Sequence, residues 1–316
     1  MTVLVPLDGS QTAEAALPYA EAIVRAARCR LVLMSVVDLE SRRSLIVPPE
    51  AGEQVEAIQR ERLTAYLHGV VNAMDGRGII AQSMLRGGEP AAEIIAAEAE
   101  LGVAMVVMAT HGRGGLRRFL IGSVADKVMR TGACPTLLVQ PNEQAGAPKI
   151  VRLRNFLVPL DGSPLAEQAL EPATELARAT GARLTLVRVE PWLSVLTAPY
   201  GYVPDVTRLD EEAGAAAERY LDDVAQRLPD VVRGAKVVLR GVPSRDLLAY
   251  AQGGGADLVI MTTHGRGGLG RLVMGSMADT MVRSGVPTLL IRPAEPVKGD
   301  TAGGAVDTEK LVNHSA

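Results

Sequence analysis

The chain has 316 residues, 47% hydrophobic and 22% charged, which is length and apolar content enough for two domains, each with its own core. A net charge of −3 and only 3% aromatic residues exclude the basic face and interleaved rings of a nucleic-acid binder, so any phosphate must be held by local groups. The apolar run Val103–Ala109 falls far short of the ~20 residues a membrane helix needs, and Met1–Pro6 reads straight into a strand without a targeting segment, so a cytoplasmic protein is expected.

In chain order, Thr2–Pro6 is a continuous apolar run, the pattern of a strand buried on both faces. Asp8-Gly9-Ser10 punctuates the chain. Ser10 is placed to cap a helix whose residues Ala13, Ala16, Leu17, Ala20, Ile23, Val24 and Ala27 fall at helical spacing. The pattern then predicts a strand at Leu31–Val37, a helix over 53–72, a strand at Ile79–Leu85 and a helix at Ala91–Glu100. A buried strand at Val103–Ala109, a helix at Gly122–Thr131 and a last strand at Thr136–Val139 follow. Cys29 and Cys134 have no metal-ligand spacing around them and read as small buried or half-buried residues.

The whole pattern then recurs. Leu4-Val5-Pro6-Leu7-Asp8-Gly9-Ser10 returns as Leu157-Val158-Pro159-Leu160-Asp161-Gly162-Ser163. Thr110-His111-Gly112-Arg113-Gly114-Gly115 returns as Thr263-His264-Gly265-Arg266-Gly267-Gly268, and Gly122-Ser123 as Gly275-Ser276, each 153 positions on. Strands are expected at Phe156–Pro159, Leu184–Val189, Lys236–Arg240, Leu258–Thr262 and Thr288–Ile291. The reading is two tandem α/β domains, 1–140 and 155–293, joined by a linker over 141–154 and followed by a disordered tail over 294–316. Strands alternating with helices predict a doubly wound, mainly parallel sheet in each. The last strand of such a sheet is an edge. Thr136–Val139 and Thr288–Ile291 are both short, uncharged and closed by a proline, so they are expected to pair antiparallel about a pseudo-two-fold axis. Dimerisation of the whole chain is left open.

Ligands of doubly wound sheets bind beyond the carboxyl ends of the strands, where the loops at Asp8 and His111 lie. There Gly112 and Gly114 let backbone approach a phosphate, Arg113 offers a guanidinium fork, and Gly122-Ser123-Val124 opens a helix with free amides. Gly265, Arg266, Gly267 and Gly275-Ser276-Met277 repeat the set. Asp8 has a second reading, as the acceptor of its own turn. His111 and His264 have no carboxylate or serine in a recognised catalytic pattern beside them, which favours loop structure or a ligand hydrogen bond over a general base.

On these motifs the chain resembles the nucleotide-binding type of tandem universal stress protein, over nearly all of residues 1–293. That type carries a glycine, two residues, a second glycine, nine residues, then Gly-Ser or Gly-Thr. Gly112 with Gly122-Ser123 fits, as does Gly265 with Gly275-Ser276. The first glycine falls at Ala109 and Thr262, so both copies depart from the pattern there. The resemblance implies a Rossmann-like five-stranded sheet of order 3-2-1-4-5 in each domain. It implies Asp8 and Asp161 beside the ribose and adenine, Val36 and Val189 meeting adenine through their backbone, and Gly88 and Gly241 at the turn after the third strand. Pro6, Gly9, Pro159 and Gly162 complete the expected contacts. The implied ligand is ATP, alone or with Mg²⁺, in a stress-response or regulatory protein that is not an enzyme and uses the nucleotide as a conformational ligand. Two alternatives stand beside it: a slow ATPase or nucleotide hydrolase, although a Walker loop is missing, and an interaction module with empty pockets.

Overall fold

Apolar strands alternating with amphipathic helices are what a sheet covered on both faces demands, and the computed structural model builds one sheet from all of its strands. It describes residues 1–38, 49–110, 121–141, 151–192, 206–264 and 274–293. The first half runs β1 (Thr2–Pro6), α1 (Leu17–Ala27), β2 (Arg30–Asp38), α2 (Pro49–Asp75), β3 (Ala81–Gly88), α3 (Pro90–Leu101), β4 (Met105–Ala109), α4 (Ser123–Thr131) and β5 (Thr136–Val139). The second runs β6 (Asn155–Pro159), α5 (Leu170–Thr180), β7 (Arg183–Glu190), α6 (Val206–Arg227), β8 (Arg233–Arg240), α7 (Pro243–Tyr250), β9 (Leu258–Thr262), α8 (Ser276–Arg283) and β10 (Thr288–Ile291).

The strand order is β3-β2-β1-β4-β5-β10-β9-β6-β7-β8, so each half has the order 3-2-1-4-5. Every pairing within a half is parallel. The join between halves is antiparallel, with Thr136 opposite Leu290, Leu137 opposite Leu289 and Leu138 opposite Thr288. All residues of β5 and β10 are buried. Because successive side chains of a strand point to opposite faces, Leu137 and Leu289 enter one core with Val3, Val5, Leu33, Phe156, Val158 and Leu186. Leu138 and Leu290 enter the other with Leu4, Met34, Val106, Leu157 and Val259. Both cores are continuous across the join, and α1 packs on α5 over it.

Two local departures have physical causes. The helix expected from Ala13 begins as a 3₁₀ turn, Ala13–Ala16, and becomes α-helical at Leu17. Pro18 has no amide hydrogen to give to the carbonyl four residues back, so the tighter turn precedes it. The third strand, expected from Ile79, starts at Ala81 and continues to Gly88, in register with β2 as far as Asp38. Gly87 and Gly88 have no side chains to mark a strand, so their pairing is a backbone matter. The tail over 294–316 and most of the linker, 142–150, lie outside the described residues. No helix among the described residues is long and apolar enough to cross a membrane.

The turn entering β5 is held by a buried acid. Glu98, 3% exposed, accepts from the amides of Ala133 (2.8 Å) and Cys134 (3.2 Å), while the Cys134 thiol donates to the Val103 carbonyl at 2.9 Å. Burial, then the charge of Glu98 and a hydrogen bond with it, push the Cys134 thiol up to about 12. The corresponding second-half residues are Ala251 and Val286, so this lock belongs to the first half alone.

Leu137→Ala and Leu289→Ala should each destabilise the chain by about 2–5 kcal/mol, the range for truncating a buried leucine. Because they face each other, urea unfolding of the double variant should show a coupling energy; strict additivity would contradict the shared core. Cys134 should react slowly with a thiol reagent at neutral pH, faster as pH rises, and rapidly once the chain is unfolded. Rapid labelling of folded protein at pH 7 would contradict the raised thiol.

Candidate functional site

The crevice between β1 and β4 is the switch point of the first half, because β2 lies on one side of β1 and β4 on the other. Past Pro6 the chain turns on Gly9, whose φ of 79° is glycine's territory. The Asp8 carboxylate accepts from the Ser10 amide (2.9 Å) and hydroxyl (2.5 Å), and the Ser10 hydroxyl accepts from Ala13 N at 3.2 Å. Asp161, Gly162 (φ 81°) and Ser163 repeat this after Pro159, with Asp161 accepting from Ser163 N at 2.8 Å and Ser163 from Ala166 N at 3.2 Å. Both aspartates therefore serve their own turns, and the turns hold them at the strand ends.

Val36 and Val189 lie near the ends of β2 and β7, opposite Arg86 and Leu239 of the next strands. Their neighbours differ. Ser35 is buried and donates to the Leu7 carbonyl at 2.7 Å, tying β2 to the β1 loop. Arg188 stands at that position in the second half. Its Nε donates to Glu190 at 2.5 Å, and its guanidinium lies 5.0 Å from the ring centre of Tyr220. Tyr220 donates to Glu167 at 2.9 Å, as Tyr66 does to Glu14 at 3.0 Å in the first half. Two residues beyond β7, the exposed Trp192 ring lies 5.7 Å from the Arg240 guanidinium.

Gly88, with φ of 154°, ends the outer strand β3, and Gly241, with φ of 147°, directly follows the outer strand β8. After Gly88, Glu89 caps α3 by accepting from Ala91 N (3.1 Å) and Ala92 N (2.8 Å), and it pairs with Lys127 of α4 at 2.8 Å. Burial works to raise its carboxyl, but Lys127 and the two amides outweigh that and hold it below the ordinary value. Val242 and Thr280 replace this pair in the second half and cannot form it.

Ala109 and Thr262, the last residues of β4 and β9, are buried. The residue after each strand meets the start of the next helix. Gly122 N donates to the Thr110 carbonyl at 2.6 Å and Gly275 N to the Thr263 carbonyl at 2.8 Å. A Cβ on Gly275 would come 3.2 Å from that carbonyl and 3.8 Å from His264 Cα, so the close approach itself asks for glycine. Each glycine is the N-cap of its helix, α4 or α8, and brings no side-chain oxygen to the first-turn amides of Ser123 and Val124, or of Ser276 and Met277. By contrast Glu89 caps α3 and Ser163 caps the turn Pro164–Glu167. Inside the helices Asp126 pairs with Arg130 at 2.8 Å and Asp279 with Arg283 at 2.7 Å.

The Thr262 hydroxyl donates to the His264 carbonyl at 2.6 Å, so it is turned into its own loop. His264 Nδ1 lies 2.9 Å from the Thr263 hydroxyl, and its buried Nε2 has no partner among the described residues. Burial first, then the Arg130 and Arg292 guanidiniums, push this imidazole below its ordinary value and keep it neutral at neutral pH. His111, Gly112, Arg113, Gly114, Gly265, Arg266 and Gly267 lie outside the described residues. Among the described residues no three His, Cys, Asp or Glu side chains converge as metal ligands.

Sequence reasoning missed Ser35, Arg188, the Glu89–Lys127 pair, Arg130 and Arg292. A position-by-position comparison of the halves marks the first two, since Ser35 and Arg188 share one place in the repeat. Glu89 immediately before Pro90 carries the signature of a helix cap.

The family model for the universal stress protein family matches residues 1–140 and 152–292. Universal stress protein Rv2005c of Mycobacterium tuberculosis is 31% identical over 189 residues, 60% of this chain and 61% of that relative, so the match spans less than two thirds of its length. Universal stress protein Rv1996 of the same organism is 28% identical over 315 residues, covering 93% of this chain and 96% of its own. A universal stress protein of Archaeoglobus fulgidus, of known structure and 19% identical, covers 93% of this chain and 98% of its own with a TM-score of 0.66, a likeness of fold. The duplicated turn–strand–helix pattern and the match of one family unit to each half agree: the chain belongs to the universal stress protein family.

Proposed function

We propose that each half binds an adenine nucleotide, ATP, at the carboxyl ends of its central strands, and that the nucleotide acts as a conformational ligand in a regulatory protein. The observation that carries this is the twice-built helix start. At Gly122 and Gly275 a glycine N-cap lies against the strand-end carbonyl and supplies no side-chain oxygen to the first-turn amides. Such amides, at the positive end of a helix dipole, favour a phosphate. Ser123 and Ser276, both exposed, add a hydroxyl each. The backbone ends at Val36 and Val189 and the fixed carboxylates of Asp8 and Asp161 suit the base and ribose. Mg²⁺ would enter with the triphosphate.

A regulatory role fits the chemistry better than turnover. His264, the described histidine at the site, is engaged through Nδ1 with Thr263 and, among the described residues, has no carboxylate partner in the hydrogen bonds it makes. The chain as two empty interaction modules is the competing outcome of the binding test.

Isothermal titration of the full chain with ATP should find two sites. Gly122→Val should remove one and Gly275→Val the other, since a branched side chain blocks the approach at each helix start. Ser123→Ala should weaken the first site by about 1 kcal/mol, one hydrogen bond. No binding by the wild type, or full binding by folded Gly122→Val, would refute the assignment. Phosphate release should stay well below the median turnover of about 10 per second; fast release lost in His264→Ala would make the protein an enzyme.

A further inference from the structure

The end of β9 and the end of β10 lie side by side. Thr262 is in register with Ile291, and Thr263 N donates to the Ile291 carbonyl at 2.9 Å. The next residues, His264 and Arg292, therefore share the seam between halves. Arg292 crosses it: its Nη1 lies 3.4 Å from the carbonyl of Thr131, the last residue of α4. Arg130, one residue earlier, has its Nε held by both oxygens of Asp126 at 2.8 Å. Its guanidinium acts on His264 from the other half, as that of Arg292 does from its own. His264 in turn stands beside the start of α8, with its Cα 3.8 Å from the place a Gly275 Cβ would take.

We infer that the second pocket is completed across the seam, and that Arg130, Arg292 and His264 together receive the distal phosphates of a nucleotide held at the start of α8. The inference rests on reading that pocket as a nucleotide site. In the tautomer in which the Thr263 hydroxyl donates to Nδ1, Nε2 carries the proton, and among the described residues this buried atom has no acceptor. Two guanidiniums already raise the positive potential there. A phosphate oxygen answers all three groups at once, since it accepts from the imidazole and pairs with guanidinium forks. Asp126 is the counter-charge on the Arg130 side, and it fixes that side chain to α4.

This arrangement couples the two sites. Arg130 belongs to the helix whose own start, Gly122-Ser123, is the phosphate cradle of the first half, so a triphosphate in the second pocket acts on the first through one rigid element. The coupling is unequal by construction, because Gln140 stands where the repeat would place the partner of Arg292.

The test uses the full chain with Gly122→Val, which isolates the second site, and titrates it with ATP and with AMP. Arg130→Gln and Arg292→Gln should each weaken ATP about tenfold, the loss of one charge-assisted contact, and leave AMP unchanged. Arg130→Lys should recover part of the ATP affinity. Unchanged ATP affinity in both glutamine variants, or equal weakening of ATP and AMP, overturns the composite site while leaving nucleotide binding in place. Absence of ATP binding in the wild type itself overturns the nucleotide reading and this inference with it.

Discussion

One short antiparallel ladder, β5 against β10, decides what kind of molecule this is. Each strand has only four residues, and each would be the open edge of a five-stranded sheet on its own. Paired, they lose both edges, and the leucines on either side of the ladder extend each core into the other half. The ladder also fixes the distance between α4 and the end of β10, which is why Arg292 can lean on Thr131. A slip of one residue would set Leu137 and Leu289 on different faces of the sheet and separate those groups.

Around that join the halves keep the same frame and fill it differently. Gly9 and Gly162, Gly122 and Gly275, and the Tyr–Glu bonds Tyr66–Glu14 and Tyr220–Glu167 occur in both. The first half adds the Glu98 lock and the Glu89–Lys127 pair. The second replaces Ser35 with Arg188 and has Arg292 where the first has Gln140. The backbone features serve strand ends and helix starts, which any copy of this fold needs. The side chains that differ lie around those features, where two pockets in one chain are free to specialise.

Much of the frame was legible because its signals are local. Thr136–Val139 and Thr288–Ile291 were bounded correctly to the residue, as each is a short apolar run closed by nearby prolines. Gly122 and Gly275 stood out through the repeat and do begin helices. The 3₁₀ turn before Pro18 was missed because apolar spacing is nearly the same for both helix types over one turn. Arg292 against Thr131 was not readable at all: the two are 161 positions apart, and nothing in periodicity marks a contact made only through the pairing of two edges.

The join also sets an order of events during synthesis. The first half leaves the ribosome with β5 complete and its partner not yet made, since Thr288 follows Thr136 by about 150 residues. At roughly 5–20 residues per second that interval lasts on the order of 10 s. Through it the nascent first half carries an uncovered apolar edge, and neighbouring ribosomes on one message carry the same edge. The brevity of β5 limits what such an edge can recruit, and the covalent link makes the chain's own second half the partner that arrives at the highest local concentration.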